Sequence, residues 1–212
     1  TDDTDLVTLS NGTVTVAGEI TATTLDIGGA NITATATEIN VLDGALKENN
    51  SIWIGNDPSS TTDNALNSVA FGKTALDAIT TGDYNTAFGY DALTNQTTGN
   101  NNVAIGYEAL RDNSTTSQNV AIGMSALQES NAAGNVAIGA NAMRGTTNTA
   151  ITGGENVAVG SSALKLNIGG ASNTAIGKAS MGNNTDGNYN VAVGKGSLND
   201  NTCLLYTSDA AD

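Results

Sequence analysis

The sequence predicts an all-β fold, a parallel β-solenoid of about nine coils of 16–21 residues, preceded by a short strand-rich module. Three observations carry this. A glycine closes a short apolar run at Gly55, Gly72, Gly89, Gly106, Gly123, Gly139, Gly160, Gly177 and Gly194, at spacings of 17, 17, 17, 17, 16, 21, 17 and 17 residues. The run itself is Asn-Val-Ala-Ile-Gly or a close variant, and Val and Ile favour pleated backbone. Seventeen residues are too few for two packed helices, so the repeating unit is one coil of a stack.

Residues 1–48 follow a different grammar. "LVTLSNGTVTVAGEITATTLDIGG" alternates Leu, Val and Ile with Thr, which predicts short strands broken at Asn11-Gly12 and Gly28-Gly29. "TATATEINVLDGA" predicts a short helix near residues 37–43, with Thr35 or Thr37 as cap and Gly44 at its end. The repeat domain is expected over residues 49–202, with Trp53 and Pro58 opening a first, atypical coil.

Within one coil, period two places Val103 and Ile105 on one face of the strand and Ala104 on the other. Gly106 ends the strand, at a tight corner or a close backbone approach that would exclude a Cβ. Leu110 can return to the interior shared with Val103 and Ile105. The "YEAL" stretch is open between a single helical turn and a second short strand. "RDNSTTSQ" is expected to be an outer loop. The expected coil interior is therefore Val103, Ile105 and Leu110 in one coil and Val120, Ile122 and Leu127 in the next. The Asn before each strand (Asn85, Asn102, Asn119, Asn135, Asn156, Asn173, Asn190) is expected to line up as a ladder of turn residues.

The opposite strand face carries Ala70, Ala87, Ala104, Ala121, Ala137, Ala158, Ala175 and Ala192. A strand that is apolar on both faces is buried on both. The expectation is that this alanine column is a subunit interface in a homo-oligomer.

The last ten residues, "CLLYTSDAAD" (203–212), break the composition around them and hold the only cysteine. They resemble a translated sequencing adapter and are set aside as non-native, the chain being read as a fragment cut near Thr202.

Composition narrows the chemistry. Lys and Arg total 7 against 21 Asp and Glu, a net charge of -14, which opposes binding to nucleic acid or anionic lipid. There is no histidine, so a histidine base or ligand is excluded. No apolar run is long enough for a membrane span, so no membrane insertion is expected. No phosphate-binding loop or calcium-loop pattern occurs, and no cofactor or metal is expected. Asp91 and Glu108 share one repeat position and would lie about one coil apart, a spacing that suits glycoside hydrolysis. That position varies to Thr74, Ser125 and Asn141, as a solvated corner would, so no catalytic residue is assigned. Tyr90 and Tyr107 stack in the same way, for packing or as an exposed aromatic strip for sugar.

The phrases "NSVAFG", "NVAIG" and "NVAVG" resemble the head repeats of trimeric autotransporter adhesins and the related repeats of phage tail-fibre proteins, over about residues 50–201. The resemblance implies a left-handed parallel β-roll with three chains around one axis. The longer period, with its added Ala-Leu pair, is closer to the fibre proteins. "ITATTLDIGGANITATATEINVLDG" likewise resembles a module of phage tail-fibre stalks. The resemblance implies a virion structural protein, a homotrimer that attaches to a host-surface receptor, glycan or protein, with no enzymatic activity. The alternatives are an adhesin head on a bacterial cell surface and a tailspike polysaccharide depolymerase.

Overall fold

The computed structural model describes residues 25–27, 30–32, 51–54, 65–146 and 149–200. The predicted helix near 37–43, the boundary near 48–49, Gly55, Pro58 and the tail 203–212 lie outside the described residues. The chain divides into two units, Thr1–Glu38 and Ile39–Asp212. In the first, β1 (Leu25–Ile27) and β2 (Ala30–Ile32) pair antiparallel, with Leu25 opposite Ile32. The residues between them are Gly28-Gly29, one of the breaks the sequence predicts.

The second unit is the solenoid. Nine three-residue strands form one parallel sheet in chain order: β3 (Ile52–Ile54), β4 (Val69–Phe71), β5 (Thr86–Phe88), β6 (Val103–Ile105), β7 (Val120–Ile122), β8 (Val136–Ile138), β9 (Val157–Val159), β10 (Thr174–Ile176) and β11 (Val191–Val193). Register never slips: Ala104 stands beside Ala87 and Ala121, and Ile105 beside Phe88 and Ile122. The short coil ending at Gly139 and the long one ending at Gly160 keep it too, because Val136 pairs with Val120 on one side and Val157 on the other. The extra residues of the long coil fold back on themselves through a Thr146–Thr149 bridge, while a Ser130–Ile151 bridge continues the stack.

The two strand faces are the reverse of the expectation. All eight alanines of the column, Ala70, Ala87, Ala104, Ala121, Ala137, Ala158, Ala175 and Ala192, are at most 2% exposed within the single chain. They fill the coil interior and cannot meet a sister subunit. Val103, Ile105, Val120 and Ile122, expected inside, point outward and stay half-buried or exposed. Leu110 and Leu127 are fully buried, packed in one core with the strand alanines and with Ala109 and Ala126.

The physical reason is the width of the coil. The Ala-Leu side and the Asn-x-Ala strand face each other across a thin lumen, and leucine from one side leaves room only for a methyl group from the other. Trp53 takes the alanine's place only in β3, the first strand of the stack.

The asparagines settle which face is inner. Asn102 precedes Ala104 by two residues, so both point the same way. Asn85, Asn102, Asn119, Asn135, Asn156, Asn173 and Asn190 are all buried. They do more than close local turns. The Asn102 backbone N–H donates to Asn85 Oδ1 at 3.0 Å, and Asn119 N–H donates to Asn102 Oδ1 at 3.0 Å. The Asn102 side-chain amide donates to the Thr116 carbonyl at 2.9 Å, just before the next asparagine of the column. The pattern continues to Asn190, whose N–H donates to Asn173 Oδ1 at 2.9 Å. At the start of the stack Ser51 and Ser68 take the asparagine's place, Ser68 N–H donating to Ser51 Oγ. A buried donor needs a partner, and each coil supplies it for the next.

"YEAL" is neither helix nor strand. Glu108 and Leu110 both have positive φ, 54° and 51°. Alternating their backbone this way turns the Glu108 N–H back to the Tyr90 carbonyl (2.9 Å) and the Leu110 N–H forward to the Ala126 carbonyl (3.0 Å). This side of the coil therefore bonds to both neighbours without forming a strand. No helix occurs among the described residues.

Candidate functional site: an apolar sheet face and an aromatic corner

Two outward surfaces carry side chains that the fold does not consume. The first is the outer face of the nine-stranded sheet. Its two columns are the first and third residues of every strand, nearly all Val, Ile or Phe. Ile52, Val69, Phe71, Phe88, Ile105, Ile138, Ile176, Val191 and Val193 are exposed, and Val103, Val120, Ile122, Val136, Val157 and Val159 are half-buried. Phe71 and Phe88 stack face to face, ring centroids 4.8 Å apart and planes within 9°. A solvent-facing sheet surface ordinarily alternates to polar residues. Here the outer face is more apolar than the inner one, which is made of Ala and Asn. Contiguous exposed apolar surface of this kind marks an interaction site.

The second surface is the corner that follows the strand. Gly106 turns the chain there with φ of 134°, and a Cβ on it would lie 2.7 Å from the Gly123 carbonyl carbon. The close approach of successive glycines stacks the following residues in columns. The first column runs Lys73, Tyr90, Tyr107, Met124, Ala140, Ser161, Lys178 and Lys195. Tyr90 and Tyr107 stack at 5.6 Å with planes within 9°. The second column holds Thr74, Asp91, Glu108 and Ser125.

Both carboxylates are held by neighbours. Asp91 Oδ1 accepts from the Thr74 hydroxyl of the preceding coil and from the Thr94 hydroxyl at 3.4 Å. Glu108 Oε2 accepts from the Gln128 side-chain amide at 2.6 Å, and its Oε1 pairs with Arg111 Nη1 at 3.2 Å. Arg111 also grips Asp112, Nη2 to Oδ2 at 2.7 Å, and this contact first, then the nearby Glu108, holds its guanidinium proton more tightly than usual. Arg144 Nε donates to Gln128 Oε1 at 3.0 Å and extends the chain of contacts to the next coil. The Tyr107 hydroxyl is pushed above its ordinary proton affinity, first by its hydrogen bond to Glu108 and then by that residue's negative charge.

Compared with known protein families, with curated proteins and with solved structures, the chain finds no match.

The structure thus brings Asp91, Glu108, Tyr90 and Tyr107 to one corner, as their shared repeat positions imply. It holds Asp91 by two hydroxyls and Glu108 by an amide and a guanidinium, in two separate sets of contacts. Sequence reasoning missed Arg111, Gln128 and Arg144. They follow the buried leucine or methionine of successive coils, so aligning that column would have shown them side by side. The glycines Gly72, Gly89, Gly106, Gly123, Gly139, Gly160, Gly177 and Gly194 form the corner column itself, all with positive φ. Among the described residues no group of three His, Cys, Asp or Glu side chains could hold a metal ion. An open concavity of about 370 Å³ beside the long coil is lined by Ala132, Ala133, Thr152, Gly154, Glu155 and Ala171. It offers one carboxylate against methyl groups and backbone.

Proposed function

We propose that the chain is a structural and receptor-binding segment of a trimeric phage tail fibre that mediates host attachment without catalysis. The observation that carries this is the outward column of Val, Ile and Phe, continuous over nine strands and uncovered in the single chain. Its natural cover is a second copy of itself. Every coil presents the same face at a repeat of about 4.8 Å. Only copies related by rotation about an axis parallel to the stack set each coil against its equivalent along the whole length. The resemblance to trimeric head repeats supplies the number three. The interface is thus assigned to Val, Ile and Phe in place of the alanines.

Nine coils at about 4.8 Å give a rod segment of about 43 Å. Continuous ladders make it stiff, and the corner and loop columns are free to vary for recognition. Asp91 and Glu108 are engaged by their own neighbours, which supports surface contacts over a hydrolytic pair.

The test is solution mass. Sedimentation of the full chain is expected to give a trimer. The triple variant Ile105→Ser, Ile122→Ser, Ile138→Ser should sediment as a monomer while keeping the circular dichroism of the parent. A parent protein that stays monomeric at high concentration overturns the assembly and with it the fibre reading.

A further inference from the structure

We propose that the corner column Tyr90–Tyr107–Met124 is a binding strip for an uncharged glycan chain lying along the stacking axis. The proposal rests on the receptor-attachment reading above and gives it a ligand class and a place.

The fold does not ask for large side chains here. The same column accepts Ala140 and Ser161 in later coils and Lys73, Lys178 and Lys195 elsewhere, with unchanged strand register. Yet three consecutive coils carry Tyr, Tyr and Met, exposed by 45%, 50% and 51%. The tyrosine rings stack with centroids 5.6 Å apart and planes within 9°. Each leaves about half of its surface to solvent, and the Tyr107 hydroxyl is hydrogen-bonded to Glu108. Tyrosine in this state gives rigid amphipathic contact area at low entropic cost.

Beside the strip stand hydrogen-bonding groups already held in place. Asp91 is fixed by Thr74 and Thr94, and Glu108 by Gln128 and Arg111. An apolar platform flanked by oriented carboxylate, amide and guanidinium groups suits the two sides of a pyranose ring, one lined by C–H and the other by hydroxyls. Preorganised polar partners reduce the entropic cost of binding.

Charge selects among glycans. Asp91, Glu108, Asp112 and Glu129 stand against Arg111, Arg144 and Lys73 around the corner, and the whole chain carries -14. Sulfated, uronic or sialylated chains would be repelled. The spacing favours a polymer over a single sugar. Coils repeat at about 4.8 Å, close to the length of one pyranose in an extended chain, so successive sugars would meet equivalent positions.

The experiment is saturation-transfer NMR and titration calorimetry on the full chain. The probes are maltohexaose and cellohexaose as neutral chains and a hyaluronan hexasaccharide as an anionic one, followed by an array of neutral microbial polysaccharides. Binding is expected for a neutral chain, with transfer from tyrosine ring protons, and none for hyaluronan. The double variant Tyr90→Ala, Tyr107→Ala should weaken it by about tenfold or more. Circular dichroism and sedimented mass should not change, since Ala140 already occupies this column. Three results overturn the proposal: no neutral glycan on the array binds, hyaluronan binds in preference, or the double variant binds as the parent does. Mass separates the two readings. A trimer that binds no neutral glycan sinks this inference and leaves the fibre segment standing, while a monomer that binds one through its tyrosines does the reverse.

Discussion

Replacing Ala121 by leucine distinguishes the observed coil from its inside-out alternative. Ala121 is the middle residue of β7, flanked in register by Ala104 and Ala137, and it is fully buried. Leucine adds three carbons to a lumen already filled by Leu127 and Ala126. Overpacking of a dense core costs about 1–3 kcal/mol. The upper end applies here, because the strand cannot step aside. Val120 N–H is bonded to the Asn135 carbonyl at 2.8 Å, and Val103 N–H to the Asn119 carbonyl at 2.9 Å. Moving β7 breaks ladders on both sides. A loss of about 3 kcal/mol lowers the midpoint of thermal unfolding by roughly 6–12 °C for a domain of this size. The assay is a circular-dichroism melt of Ala121→Leu beside Ile122→Ser, its outward neighbour. The first should melt early at unchanged mass below the transition. The second should melt nearly as the parent when both are diluted to monomer, since a half-exposed side chain on the outer face contributes little inside the coil. If Ala121→Leu keeps the parental midpoint at dilution but falls apart into monomers, alanine is the interface and the lumen is packed by the larger side chains after all.

Two further substitutions probe the corner and the lumen. Gly106→Ala should cost about 3 kcal/mol or more, read as a lowered urea midpoint, because φ of 134° is glycine territory and the new Cβ would strike the Gly123 carbonyl. Gln96→Met should stabilise the coil by about 1 kcal/mol, read as a raised urea midpoint. Both Gln96 amide atoms are buried without a partner, and the preceding coil already places Ile79 at this position.

The stack was legible because a period is a count, and counting needs no knowledge of side-chain direction. Nine glycines fixed nine coils, and the strand positions followed from Val and Ile. Facing was harder. Period two separated Ala104 from Val103 and Ile105 correctly, but it is silent on which set is inside. The habit of placing the larger residue in the core chose wrongly. Two residues held the answer: Asn102 shares a face with Ala104, and a ladder of asparagines that satisfies backbone N–H groups has to be internal. Leu110 read as buried because, just past the corner, it can return to the coil interior. Its positive φ did not read at all, since leucine carries no bias toward that conformation. Tertiary bonding to the Ala126 carbonyl imposes it. Of the corner, the paired tyrosines and carboxylates were legible from their shared register. The Arg111–Gln128–Arg144 chain was legible only by aligning the column after the buried leucine or methionine, since no residue type recurs in successive coils there to draw attention to it.

Reversing the two faces strengthens the functional argument. With alanine and asparagine inside, one coil buries little hydrophobic volume: a leucine, two alanines and an amide. Burial contributes about 25 cal/mol per Å² of apolar surface, so a lumen this thin draws most of its hold from coil-to-coil hydrogen bonds. The large apolar side chains sit where a lone chain cannot bury them. In the proposed assembly, hydrophobic burial between copies adds to a coil that its own hydrogen bonds already hold, so association raises stability without being needed for the fold. The same translational repeat that lines up valine and isoleucine on the outer face lines up whatever stands at the corner. Variation in single coils therefore writes strips on the rod's exterior without disturbing its inside. Tyr90 and Tyr107 form such a strip, and Lys178 and Lys195 form another of opposite character in the last two coils. Under the proposed receptor-binding role, recognition is edited one coil at a time, at positions where Ala140 and Ser161 show that the stack is indifferent.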